Sequence, residues 1–62
     1  MEVSLDDQIA CVRRELSMRE KCYPGFVQKG QLSKAVADVE LPRMRSVLST
    51  LIQLRSMIKQ GV

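Results

Sequence analysis

Between residues 44 and 58 the side chains Met44, Val47, Leu48, Leu51, Leu54 and Ile58 recur at helical spacing. At 100° per residue they share one face of an α-helix. The pattern predicts a long second helix running from a cap at Ser33 to Gln60, with Gly61 as its stop. Upstream, Leu5, Ile9, Val12, Leu16 and Tyr23 follow steps of four, three, four and seven, a narrow seam of the coiled-coil kind that Arg19 interrupts. Ser4 is the predicted cap of this first helix, and Asp6 and Asp7 in its first turn suit the positive end of the helix dipole. Cys11, Met18 and Cys22 form a weak second stripe on nearly the opposite face.

The connector is read from its breakers. Tyr23-Pro24-Gly25 is expected to end the first helix, because proline disfavours helical geometry in the residue before it. The preferred version starts a short helical turn at Pro24, runs it through Lys29 and closes it with Gly30 at the C′ position. Phe26 and Val27 would then fold down as an apolar plug, and Leu32 would staple onto Ala37. Pro42 lacks an amide donor and clashes with the carbonyl of Asp38, so a kink or break is expected near residues 39 to 42. The fold class is all-α: one antiparallel helical hairpin, residues 1–62, with a short helical turn in the connector and a longer second helix kinked at Pro42.

This reading makes the helices unequal, about 19 residues against about 27, or roughly 28 and 40 Å. Ser33 would lie near Cys22 and Leu51 near the start of the first helix, leaving Ile52, Leu54, Met57 and Ile58 overhanging without a partner. The stripe of the second helix, from Leu54 round to Ile52, also spans about 160°, wider than one facing helix covers. A homodimer or higher oligomer held through Leu51, Ile52, Leu54, Met57 and Ile58 is the expected remedy. Size points the same way, since a single core in 62 residues contributes only about 3–5 kcal/mol.

Composition narrows the chemistry. With no His, no CxxC pair and carboxylates scattered over the helices, neither a metal site nor a cofactor is expected, and no Ser or Cys has an evident base, so the chain does not read as an enzyme. Cys11 and Cys22 are eleven positions apart on one helix, roughly 16 Å, too far for a disulfide. The first residues are acidic where a signal peptide is basic, and no apolar run approaches membrane-spanning length, so a cytoplasmic protein without a membrane partner is expected. The net charge of +3 favours anionic partners. Dispersed Lys and Arg without a recognition helix make nucleic acid the weaker candidate among them.

Polar residues in apolar company carry the site hypotheses. Arg19 and Glu40 both intrude on seams and fall within about one turn of each other across the hairpin, which predicts an ion pair that fixes register. The functional alternative makes Arg13, Arg19 and the ring of Tyr23 a site for a phosphate-bearing or planar ligand, with Arg55 a further contact.

The run Arg19-Glu20-Lys21-Cys22-Tyr23-Pro24-Gly25-Phe26-Val27, followed by Gly30-Gln31-Leu32-Ser33, Ala37-Asp38, Glu40 and Met44, resembles a group of small phage and prophage proteins. These share an Arg-rich helix end, a Tyr-Pro-x-aromatic-Val turn, a Gly-x-Leu-Ser/Thr start and an Ala-Asp-x-Glu-x-x-x-Met helix. The resemblance covers most of residues 5 to 55 and departs from the pattern at Gly25, usually basic, and at Pro42, usually a helix former. It implies an accessory role in an infected or lysogenic bacterial host. Joined to the charge and the absence of catalytic groups, it leads to a non-enzymatic binding protein that blocks or sequesters a host component. The most concrete form is an oligomeric sponge for an anionic nucleotide signal of host defence. The alternatives are an inhibitor that covers a host protein and a nucleic-acid-binding or structural accessory protein.

Overall fold

The computed structural model describes residues 3–60, which form an all-α hairpin of α1, Leu5–Gln28, and α2, Lys34–Gln60, packed against each other. Both predicted caps are in place. Ser4 Oγ accepts from the amide of Asp7 at 3.1 Å, and Ser33 Oγ accepts from the amide of Val36 at 3.1 Å, each satisfying an amide that the helix leaves unpaired.

The connector differs from expectation. Pro24 neither ends α1 nor opens a separate turn; the helix runs through it to Gln28. Proline at this position removes one hydrogen bond, to the carbonyl of Glu20, and the bonding pattern resumes beyond it, with the Lys29 amide donating to Gly25 at 3.0 Å. Continuation extends the α1 seam by one more position, so that Val27 is half-buried in phase with Tyr23 and Leu16. The stop comes at Gly30, whose φ of +77° lies in the left-handed region. Its amide donates to Val27 at 3.1 Å and that of Gln31 to Phe26 at 2.9 Å, the paired bonds of a Schellman close. Phe26 is not a plug: it stays 41% exposed, and its ring centroid lies 6.5 Å from that of Tyr23. Pro42 likewise leaves α2 unbroken.

The extra turn on α1 shifts the register. Arg55 Nη1 meets Asp6 Oδ1 at 3.1 Å, Arg19 Nη1 meets Glu40 Oε2 at 3.7 Å, and Arg45 Nη2 meets Glu20 Oε1 at 3.8 Å. Leu51 therefore lies beside Gln8, Cys11 and Val12, not at the start of α1. The lengths, 24 and 27 residues, are nearly equal, and the expected overhang is shortened: Ile52 and Leu54 lie alongside α1, while Met57 and Ile58 remain past the Arg55–Asp6 contact, where α1 begins. Leu54, Met57 and Ile58 are 45%, 67% and 54% exposed, Leu54 because it is rotated off the seam and the other two because they lie past that contact.

The interior is thin. Ile9, Leu16 and Ala37 are the buried residues, flanked by half-buried Leu5, Val12, Tyr23 and Val27 on α1 and Leu41, Met44, Leu48, Leu51 and Ile52 on α2. Ala37, with the smallest side chain of the three, lets the helices approach near the turn. Among the described residues no helix is long and apolar enough to cross a membrane.

Candidate functional site

The seam divides the hairpin surface into two flanks. In an antiparallel pair, residues rotated backward from the seam on either helix come to the same side, and residues rotated forward come to the other. Gln8, Cys11, Glu15 and Cys22 thus share a flank with Val36, Glu40, Arg43, Val47, Leu54 and Ile58. Arg13, Arg14, Ser17, Glu20 and Lys21 share the opposite flank with Lys34, Asp38, Leu41, Arg45, Ile52 and Lys59. The ion pairs agree with this division: Glu15, Arg19, Glu40 and Arg43 form one chain of contacts, and Glu20 with Arg45 another.

Arg19 is the most constrained of the candidate ligand residues. It lies on the seam, its Nε donates to Glu15 Oε1 at 2.8 Å, and Glu40 stands on its other side. The hydrogen bond to Glu15 raises the guanidinium above the ordinary arginine value, against a smaller lowering by desolvation; Tyr23, Glu15 and Glu40 add to the rise. Arg19 is therefore a permanent cation held between two carboxylates, and Glu40 is shared with Arg43 at 3.4 Å. This is the register-fixing pair foreseen from the sequence, enlarged by Glu15 and Arg43.

Tyr23 sits one turn from Arg19, half-buried, and forms one wall of a notch completed by Pro24, Val27, Lys34, Ala37, Asp38 and Leu41. The notch lies at the turn end of the basic flank. Its floor is apolar and its rim carries the ammonium of Lys34, which meets Asp38 Oδ2 at 3.0 Å and stays largely in solvent. Arg13 is on the same flank, about 15 Å down α1 from Tyr23. Arg55 is remote: its partner Asp6 is thirteen residues from Arg19, roughly 20 Å along the helix. One copy of the chain thus joins Arg19 to Tyr23 and brings neither Arg13 nor Arg55 to them.

Lys34 was not among the sequence candidates. Its signal lay in the combination of Tyr23, Pro24 and a basic residue just after the second cap, which becomes visible only once Pro24 is accepted inside α1. Among the described residues, Arg13, Arg14, Lys21, Lys29 and Lys59 have no carboxylate partner, whereas Lys34, Arg43, Arg45 and Arg55 have one each and Arg19 has two. The expected oligomer residues also separate. Leu54 and Ile58 belong to the flank of Cys11, with Leu51 at its edge beside the seam; Ile52 is half-buried on the basic flank, and Met57 faces outward.

Among the described residues no cluster of three or more acidic or sulfur ligands stands close enough to hold a metal. Both cysteines are free and exposed. Comparison with protein-family models, with curated proteins and with solved structures finds no match.

Proposed function

We propose that this protein is a non-enzymatic accessory binding protein of the phage type that works as a homo-oligomer and sequesters an anionic nucleotide of its bacterial host. The observation that carries the reading is the notch on the basic flank, where the Tyr23 ring, an apolar floor of Val27, Ala37 and Leu41, and the Lys34 ammonium stand together. A planar base needs an apolar slot with an aromatic wall, and its phosphate needs a cation at the rim. Lys34 supplies that cation by giving up an exposed pair with Asp38, a contact of little worth in water. Lys21, Arg13 and Arg14, without carboxylate partners, extend positive potential along the same flank and draw an anion toward it. Arg19 acts behind the notch as the residue that holds register at Tyr23, and Arg55 does the same at the open end. Anti-defence sequestration follows from this chemistry joined to the phage resemblance: a binder without catalytic groups acts by lowering the free concentration of its ligand.

Calorimetry against a panel of cyclic and linear nucleotides tests the reading. Saturable heat with at least one of them is expected, lost in Lys34→Glu and strongly reduced in Tyr23→Leu, while Arg55→Ala binds as the parent does. Silence across the panel overturns the nucleotide reading and leaves inhibition of a host protein as the function. Duplex DNA titrated at two salt concentrations separates the remaining class, because a nucleic-acid binder loses affinity steeply with salt and responds modestly to each single Lys or Arg change.

A further inference from the structure

We infer that the flank carrying Val47, Leu51, Leu54 and Ile58, together with the hollow around Cys11, is the docking face for a second copy of this chain, and that two hairpins joined there form a two-fold four-helix bundle with their basic flanks outward. This deepens the oligomeric part of the proposed function, naming the face and the arrangement, and it stands whether or not a nucleotide binds.

Surface area argues for a missing partner. The hairpin exposes 4954 Å². A compact monomer of its mass, 7.0 kDa, exposes about 4,040 Å². The excess, about 900 Å², is close to the roughly 800 Å² that each partner contributes to a standard interface. Shape agrees: the radius of gyration is 14.6 Å, where about 10.6 Å is expected for a compact domain of this length.

The α2 sequence supplies a second coiled-coil line besides the one facing α1. Val36, Glu40, Arg43, Val47, Thr50, Leu54 and Met57 follow alternating steps of four and three. In its lower half Leu51 and Ile58 broaden the line into an apolar strip, with Val47, Leu54 and Ile58 49%, 45% and 54% exposed. Beside the strip, Val3, Asp7, Gln8, Cys11 and Val12 border a shallow, mainly apolar hollow shared with Val47 and Leu51. Protruding Leu54 and Ile58 next to a hollow on the same surface make that surface self-complementary, as an isologous two-fold contact requires.

Charge selects the occupant and the face. On the apolar flank Glu15 and Glu40 are paired with Arg19 and Arg43, and Asp7 at the border of the hollow adds a single negative charge, so two copies meet there with little repulsion. On the other flank Arg13, Arg14, Lys21, Lys34, Arg45 and Lys59 outnumber Asp6, Glu20 and Asp38, a net positive surface that repels its own copy. Self-docking through the apolar flank therefore leaves the notch at Tyr23 and Lys34 open on both outer sides.

Sedimentation velocity and the reactivity of Cys11 test this together. In Cys22→Ser protein, Cys11 is exposed in the single hairpin, and its rate with a thiol reagent should fall as protein concentration is raised through the association range, in step with a shift from one chain mass to two. Leu54→Arg should weaken association at least 30-fold, whereas Ser17→Arg on the basic flank should leave it unchanged. Helical circular dichroism measured alongside separates lost association from lost folding, and Thr50→Arg, exposed on the same strip, repeats the test at a position that does not pack within the hairpin. A Cys11 rate independent of concentration, or dissociation by Ser17→Arg with retention in Leu54→Arg and Thr50→Arg, overturns the inference. Calorimetry on Leu54→Arg keeps it distinct from the nucleotide reading, since a dissociated chain that still binds nucleotide supports both and a dimer that binds none removes only the latter.

Discussion

The two flanks of the hairpin share the same helices and the same seam, yet they solve the exposure problem in opposite ways. On the basic flank the side chains in water are cations on long stems, which cover the half-buried Leu41 and Ile52 while keeping their charges solvated. On the apolar flank Val36, Val47, Leu54 and Ile58 stand in water themselves, and their charged neighbours Arg19, Glu15, Glu40 and Arg43 are occupied with one another. One surface is finished as it stands. The other becomes so when covered, and the thinness of the interior, with Ile9, Leu16 and Ala37 as its buried residues, gives the covering a stabilising role.

Breaking the seam should remove both surfaces at once, and this is the largest effect expected. Leu16→Ala deletes most of one of the buried side chains and should cost about 2–5 kcal/mol, comparable to the whole contribution of so small a core. Thermal melts should show helical signal recovered only at high protein concentration, where association offsets the loss.

A smaller loss is expected at the turn. Gly30→Ala forces a β-carbon into a left-handed residue, at a cost of about 1–2 kcal/mol, although open space surrounds the added atom. Gly25→Ala gives the opposite sign, because Gly25 is helical and a β-carbon there also meets nothing within 4 Å; a gain of about 0.5–1 kcal/mol is expected. Opposite shifts of melting temperature for these two glycines would establish that α1 continues through Pro24 and ends at Gly30; matching losses would place the helix end before Gly25.

The smallest effect belongs to the open end. Asp6 is mostly in solvent, so Arg55→Ala should change stability by no more than about 1 kcal/mol. It should leave the proposed nucleotide binding untouched, which separates a register contact from a ligand contact.

Much of this architecture is legible in the amino-acid order. The seam through Leu5, Ile9, Val12, Leu16 and Tyr23, the caps at Ser4 and Ser33, the close at Gly30 and the Arg19–Glu40 pair all follow from local rules and helical spacing. Pro24 was misread because the local preference of the residue before proline is weaker than the combined effect of Val27 on the seam and the Schellman bonds at Phe26 and Val27. That one turn moved the register and shortened the overhang to the last turn of α2. The α2 stripe shows a different limit. Its width of about 160° reveals that two surfaces share the apolar residues, but periodicity does not say which third of the arc meets α1. Thus Ile52 and Leu54 looked equivalent, and only the packed helices separate them. The notch at Lys34 was hidden for the same reason as the register, since it exists only when Pro24 lies within α1.

The division of the surface is tested most directly by isotope-filtered nuclear Overhauser spectroscopy on an equimolar mixture of labelled and unlabelled chain. Intermolecular signals are predicted at the methyl groups of Val47, Leu51, Leu54 and Ile58, with none at Leu41. Signals at Leu41 and Ile52 without any at Val47 and Leu54, or no intermolecular signals at concentrations where sedimentation reports two chain masses, would contradict this division.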